Sequence, residues 1–595
     1  MEVARLQEAI RDIQSLEEPT IPTDATSAWS INAPASGTHD LSRPEISHDA
    51  VDIESPSDGR ASLAAGILTS SSAVQEVGAS AWRVFGSTQE SSCGPMGMYL
   101  FPVNGAFKDT IHDESDNGSS LDIDAVLSTL SSTPILKADL GTIFLQRANK
   151  FARLFRNDTM VSLDDFPNES TELQLLHSAI LAIGANFCND LSVQQMGLRL
   201  TDFAQSLALS ACVSHGGLDT LRGLIAMSWL ALVNGKDLQA WMYNSMASGL
   251  VGHLGLHVLS EPPSPPLGTI YLEKARTFWV YEFVDRMASA TLGRLPTVQW
   301  RHVQTPRYQT LLVETAISIE DLYFDHICEL WRLFDIAMDV TYAPSFRDLS
   351  QVAKDDLLHR SQASLSNFYD NADQRLHFKS SAPGELPFVY YFNITFHTSL
   401  LLLNRPFLSD SSTRRPQNAL KAMAIAATEV GNTIKQYRRS YSFADAPLSI
   451  VFHITRSSIV FLLLATSSAD TIRRKAAVKL KQCLEALDEC SETWEYRSKK
   501  SIRLLQELAA RWKVVRSLPL RYSNPLPDND AAISPDTTTM LSDSRQLVGG
   551  DQFASYGMFS MTGLDWSDLQ VTDFSWLTDE KSWEHGSPYE FYTNI

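Results

Sequence analysis

Arg276 to Pro296 reads RTFWVYEFVDRMASATLGRLP, and its pattern decides the fold of the chain. Phe278, Trp279, Val280, Phe283, Val284 and Met287 form an apolar band at helical spacing. Gly293 then fits a left-handed C-cap and Pro296 prevents continuation, so the stretch predicts one helix with a defined end. A helix this apolar belongs in a core, where a charged side chain must be paired. Asp285 and Arg286 are adjacent and so face different directions, which suits each to a separate partner.

The same period extends outward on both sides. Leu175, Leu176, Ala179, Ile180, Ile183 and Ala185 repeat at helical spacing, as do Trp229, Leu230, Val233 and Leu238, and Leu480, Leu484 and Leu487. Strand-like alternation is rare. Pro262-Pro263-Ser264-Pro265-Pro266 and Ser381-Ala382-Pro383-Gly384 mark loops between helices. The fold class expected is all-α: a large multi-helix domain over residues 138–516 with disordered N- and C-terminal flanks.

The flanks differ in composition. In residues 1–18, Val3, Leu6, Ile10 and Ile13 follow a heptad pattern, which predicts a short amphipathic helix. Residues 19–137 are rich in Ser, Thr and acids, and the first 136 residues hold six Lys or Arg against twenty Asp or Glu. Such a stretch buries too little apolar area to offset ordering entropy, so disorder is expected. Residues 517–550 read as a linker. Residues 551–595 combine eight acids and one Lys with ten aromatics. Aromatics kept exposed by flanking acids can insert into hydrophobic grooves on another protein, with Trp566, Leu569, Phe574, Trp576 and Leu577 as the anchors.

The net charge of the 595-residue chain is −20, which argues against a broad basic surface for nucleic acid. None of the six cysteines stands in a C-x2-C pair, so they supply no local zinc cluster. The N-terminus lacks the apolar core of a secretory signal, and the most apolar stretches, Leu224 to Val233 and Ile459 to Leu464, are too short for a membrane span. No nucleophile elbow, zinc-protease pair or phosphate-binding glycine loop occurs, and no catalytic, cofactor or metal residue is expected. His253 and His257 have the i, i+4 spacing of a metal pair but no third ligand. A helix terminus, with His on the last carbonyls, is the simpler reading.

Three signatures in order carry a resemblance. The first holds Ala240-Trp241, Met246-Ala247 and Leu254-Gly255-Leu256-His257. The second holds Arg276, Phe278-Trp279, Asp285-Arg286 and Gly293-Arg294. The third is a helix ending in Asn404-Arg405-Pro406. Together they resemble the middle homology region of the fungal binuclear zinc-cluster transcription factors, over about residues 140–410. The chain departs from that pattern at Gly249, where Arg is usual, at Leu295 in place of Pro and at Asn404 in place of His.

The resemblance implies a nuclear transcription regulator, an activator in secondary metabolism or a nutrient pathway. The helical domain would be regulatory, residues 1–18 a remnant of a dimerisation element, and the N-terminal zinc cluster lacking. Its partners would be DNA, directly or through a zinc-cluster protein, a second chain in a homo- or heterodimer, and a coactivator on the tail; no membrane is implied. Two alternatives stand beside this. One is direct DNA binding without a zinc cluster, using basic runs such as Arg473-Arg474-Lys475 or Arg497 to Arg503. The other is an all-α enzyme of the terpenoid synthase kind, holding magnesium through Asp164, Asp165 and Glu169.

Overall fold

The computed structural model describes residues 73, 77, 122–155, 162–260, 268–311, 317–378, 386–409 and 414–523. Within them the fold is all-α. The helices are α1 (Ile123–Ser132), α2 (Pro134–Phe144), α3 (Thr171–Asn186), α4 (Leu191–Ser214), α5 (Leu218–Val233), α6 (Asp237–His253) and α7 (Thr269–Leu292). They continue as α8 (Ile319–Thr341), α9 (Gln351–Asp370), α10 (Pro387–Asn404), α11 (Arg414–Tyr437), α12 (Leu448–Ala465), α13 (Asp470–Cys490) and α14 (Glu495–Arg511). No strand occurs among the described residues.

Local chemistry sets the helix ends. Asp122, Ser318 and Ser350 accept hydrogen bonds from the first-turn amides of α1, α8 and α9, satisfying donors that the helix itself leaves open. Pro134 and Pro387 start α2 and α10, where a missing amide hydrogen costs nothing. Gly293 ends α7 at φ 71°, in the left-handed region that a residue without Cβ adopts at little cost.

Neighbouring helices pack in pairs: α3 on α4, α5 on α6, α10 on α11 and α12 on α13. The pairs join through α5 against α3 and α7 on one side, and α10 against α8 and α12 on the other. Helix α12 is the axis of the second half, touching α7, α10, α11, α13 and α14. Its 18 residues are long and apolar enough to cross a membrane, yet every one is buried inside the domain. It is a core helix by packing, and it carries Arg456 and His453 within that core.

The helical body extends beyond 138–516 at both ends. Within the stretch read as lacking structure, Ile123, Val126, Leu127 and Leu130 form one apolar stripe, and Val126 and Leu130 are buried where α1 meets α4. Three apolar gaps in a Ser- and Thr-rich run are too short a signal to separate from a polar linker. After Arg516 the chain makes one more turn, and Tyr522 is buried with its hydroxyl directed at the Leu484 carbonyl.

Close helix approach fixes one glycine. A Cβ on Gly184 of α3 would lie 2.2 Å from the Leu140 carbonyl oxygen of α2. On Gly252 of α6 it would meet nothing within 4 Å. Gly184→Ala is expected to destabilise the protein by about 1–3 kcal/mol in urea denaturation, because two backbones must separate. Gly252→Ala should leave stability unchanged or raise it by up to about 1 kcal/mol through helix propensity.

Candidate functional site

The first two signatures converge on one segment, residues 293–311, which crosses between α7 and α8. Asp285 is wholly buried on α7 and accepts four hydrogen bonds: from the Asn244 amide of α6 (2.6 Å), Arg286 Nη1 (2.8 Å), the Thr297 amide (3.0 Å) and the Thr297 hydroxyl (2.9 Å). Arg286, also buried, donates through Nη2 to the Val298 carbonyl (3.0 Å) and pairs through Nε with Asp335 of α8. Its guanidinium lies 5.0 Å from the Trp300 ring centroid, and Trp300 donates to Asp335 at 2.8 Å. Asp285 and Arg286 thus hold separate partners, Asn244 and Thr297 for one and Asp335 and Val298 for the other, and they also bond each other.

The rest of the segment is held by the remaining signature residues. Trp279 stacks on Trp300 at 5.8 Å and donates to the Pro306 carbonyl at 2.8 Å. The His257 carbonyl accepts from the amides of Gln304 (2.8 Å) and Thr305 (3.2 Å), and Thr305 bonds the Leu256 carbonyl in return. The His257 ring does not contact helix-end carbonyls: its Nδ1 is buried with no hydrogen-bond partner among the described residues. Arg294 lies over Trp241, its charged carbon 4.7 Å from the ring centroid. Tyr308 donates to Asp321, which also takes Arg153 at 2.5 Å. Burial and then Asp321 raise the Tyr308 phenol above its ordinary value, and the nearby charges of Arg153 and Arg276 oppose that rise.

The third signature sits apart. Asn404 bridges the Gln362 amide (2.9 Å) and the Leu400 carbonyl (2.8 Å), while buried Arg405 reaches the Val77 carbonyl at 3.4 Å; Pro406 follows in the turn Arg405–Ser409. Sequence reading missed Asn244, Glu282, Thr297, Trp300 and Asp335. Glu282 stands one turn before Arg286 and was legible as a partner; Asp335 lies 49 positions further along, and no spacing rule reaches it.

Other expectations find different surroundings. Asp164 and Asp165 are exposed, and Glu169 takes the His177 ring at 2.7 Å, so these carboxylates do not converge. Their loop instead wraps Lys137, whose ammonium donates to the carbonyls of Leu163, Asp164 and Phe166. No set of His, Cys, Asp and Glu is placed to hold a metal among the described residues. Arg473 and Arg474 both pair with Asp470. Arg497 is buried on Asp237 (2.5 Å) and the Leu232 carbonyl (2.7 Å), with Lys500 also on Asp237. An open cleft of about 830 Å³ lies beside α8 and α9, lined by Arg307, His326, Glu329, Arg360, Asn367 and Phe368 among others. Residues 1–18 and the tail anchors Trp566, Leu569, Phe574, Trp576 and Leu577 lie outside the described residues.

Asp285→Ala removes the acceptor for four donors and leaves Asn244, Thr297 and Arg286 buried without it. The expected loss is about 3–5 kcal/mol of stability, read by urea denaturation with tryptophan fluorescence. A loss below about 1 kcal/mol would show that the segment is held elsewhere.

Residues 143–319 match the fungal specific transcription factor domain, a span that ends at the start of α8 and includes both converging signatures. An uncharacterized transcriptional regulatory protein of Schizosaccharomyces pombe is 21% identical over 424 residues, covering 65% of this chain and 68% of the relative. The nitrogen assimilation transcription factor nit-4 of Neurospora crassa is 23% identical over 323 residues, 50% of this chain but 28% of its own length. A second uncharacterized transcriptional regulatory protein of Schizosaccharomyces pombe is 20% identical over 395 residues, covering 62% of this chain and 61% of the relative. The match over residues 143–319 and the relatives named as transcriptional regulators together identify the chain as a transcription regulator with a region similar to the fungal specific transcription factor domain.

Proposed function

We propose that the chain is a nuclear activator whose helical body is a regulatory scaffold and whose tail, residues 551–595, recruits a coactivator. DNA is reached through a zinc-cluster partner, with residues 1–18 contributing to dimer formation. The observation that carries this reading is the use of the signature residues. Trp241, His257, Trp279, Asp285 and Arg286 all act on the 293–311 segment inside the fold. That role is architectural, and it leaves recognition to surfaces outside the signatures. The net charge of −20 and the pairing of Arg473, Arg474, Arg497 and Lys500 with carboxylates support indirect rather than direct DNA contact.

The diverging carboxylates of the 164–169 loop favour a regulator over a terpenoid synthase. A role in nutrient control draws support from the name of the Neurospora relative; control of a biosynthetic gene cluster is the other reading of the same family.

Two measurements test this. Fused to a foreign DNA-binding domain, the full chain is expected to activate a reporter. Removing residues 551–595 should return it to the level of that domain alone, with the body still folded by circular dichroism. Unchanged activation would overturn the role of the tail. In a DNA-binding assay, the purified chain alone should show no sequence-selective binding, and selectivity should appear on adding a partner recovered by pull-down. Tight selective binding by the chain alone would replace the partner with a direct contact.

A further inference from the structure

Around Arg286 the charges do not balance. Glu282 and Asp285 on α7 and Asp335 on α8 all face one guanidinium in a region closed to solvent. Arg286 directs Nη1 to Asp285, Nε to Asp335 and Nη2 to the Val298 carbonyl. Glu282 comes only within 3.4 Å of Nη2, and neither of its carboxyl oxygens has a hydrogen-bond partner among the described residues. It is 1% exposed. An ionised carboxylate without donors is strongly disfavoured in such a place, whereas the neutral acid is tolerated.

The field around Glu282 points the same way. Burial pushes its carboxyl up to about 8; Arg286 opposes this, and Asp285 and Asp335 add to it. Those are the leading charges acting on it; α12, which also packs on α7, carries buried Arg456 and His453. Its titratable neighbours Tyr281 and, on α8, Cys328 are each pushed above their ordinary values, by burial first, and so remain neutral.

We propose that Glu282 is a proton-operated latch on the α7–α8 seam. Protonated, it leaves Arg286 to hold Val298, Asp285 and Asp335. Ionised, it competes with them for the same guanidinium and loosens the 293–311 segment. The sign follows from the two states. In the unfolded chain the carboxyl ionises near its ordinary value of 4.5; in the folded protein it keeps its proton to about 8. Between these values the folded state binds more protons, so stability falls as pH rises and levels off above the folded value.

The test uses the full chain and Glu282→Gln, which keeps the shape and removes the ionisation. From pH 6 to 8 the folding equilibrium of the wild type should fall by up to about tenfold per pH unit relative to the variant. Tryptic cleavage after Arg301 and Arg307 should rise with pH in the wild type, taken as a ratio to the variant at each pH. Parallel profiles for the two proteins would overturn the proposal.

A second readout does not depend on the variant folding. Infrared difference spectra with isotope-labelled glutamate should show a protonated carboxyl at neutral pH that is lost on mild alkalinisation. Glu429 is a second buried carboxyl that burial pushes up, to about 7, so the spectra are recorded in a Glu429→Gln background. Absence of the band there would equally overturn the proposal.

Discussion

One guanidinium organises the first half of this domain. Arg286 sits where α6, α7 and α8 meet, and it reaches Asp285, Asp335 and the Val298 carbonyl at once while lying over Trp300. Burial alone would lower its pKa; the carboxylates, Asp335 first, outweigh that and raise it, so the charge is permanent. A charge that cannot be discharged must be surrounded, and the 293–311 segment folds as the surround. Without that segment Asp285 would lose its two contacts from Thr297, and Arg286 its carbonyl and its ring. Such a buried network contributes less net stability than its bond count suggests, because desolvating the ions offsets much of the gain. Its consequence is geometric: it leaves the segment one way to run.

The second half solves a different problem. Helix α12 is buried on all sides, so its ends and its polar groups must be satisfied by other helices rather than by water. Thr455 and Ser458 turn their hydroxyls back to carbonyls four residues earlier on the same helix, and the His453 ring meets Thr395 of α10 at 3.2 Å. Burial drives the His453 and His397 rings down to about 3, so both stay neutral. These hydroxyl and imidazole groups bring no charge into the core, whereas Arg456 of the same helix does, its guanidinium carbon 3.3 Å from the Phe452 ring centroid.

The helical period was legible because it is local: each helix announces its buried stripe within a turn or two. The Gly293 cap and the burial of the α7 band follow from neighbours in sequence. The partners of Arg286 were not legible in the same way. Asp335 and Trp300 reach it through the path of the chain, and a side-chain network of this kind is set by tertiary geometry. The His257 ring misled for a related reason. Its position near a helix end suggested contact with carbonyls, whereas its own carbonyl is the working group, and every residue type has one. Basic runs misled in the opposite direction: Arg497 lies in a helix that reads as solvated, yet it crosses to α6 and is buried.

That crossing ties α14 to α6. Asp237, the first residue of α6, takes Arg497 and Lys500 from α14. Burial would raise its carboxyl, but the two cations outweigh burial and hold it below the ordinary carboxylate range. The same carboxylate acts on Arg294, partly offsetting the lowering that burial imposes there, and Arg294 lies over Trp241. Helix α6 is thus the element that the 293–311 segment and α14 both touch: at Trp241 through Arg294, and at Asp237 through Arg497. The last described turn, Leu520–Ser523, follows α14 and is tied to it by the Gln506 amide on the Tyr522 carbonyl at 3.0 Å. Any displacement of α6 must therefore be met by both the motif-held segment and α14, with the turn Leu520–Ser523 behind it.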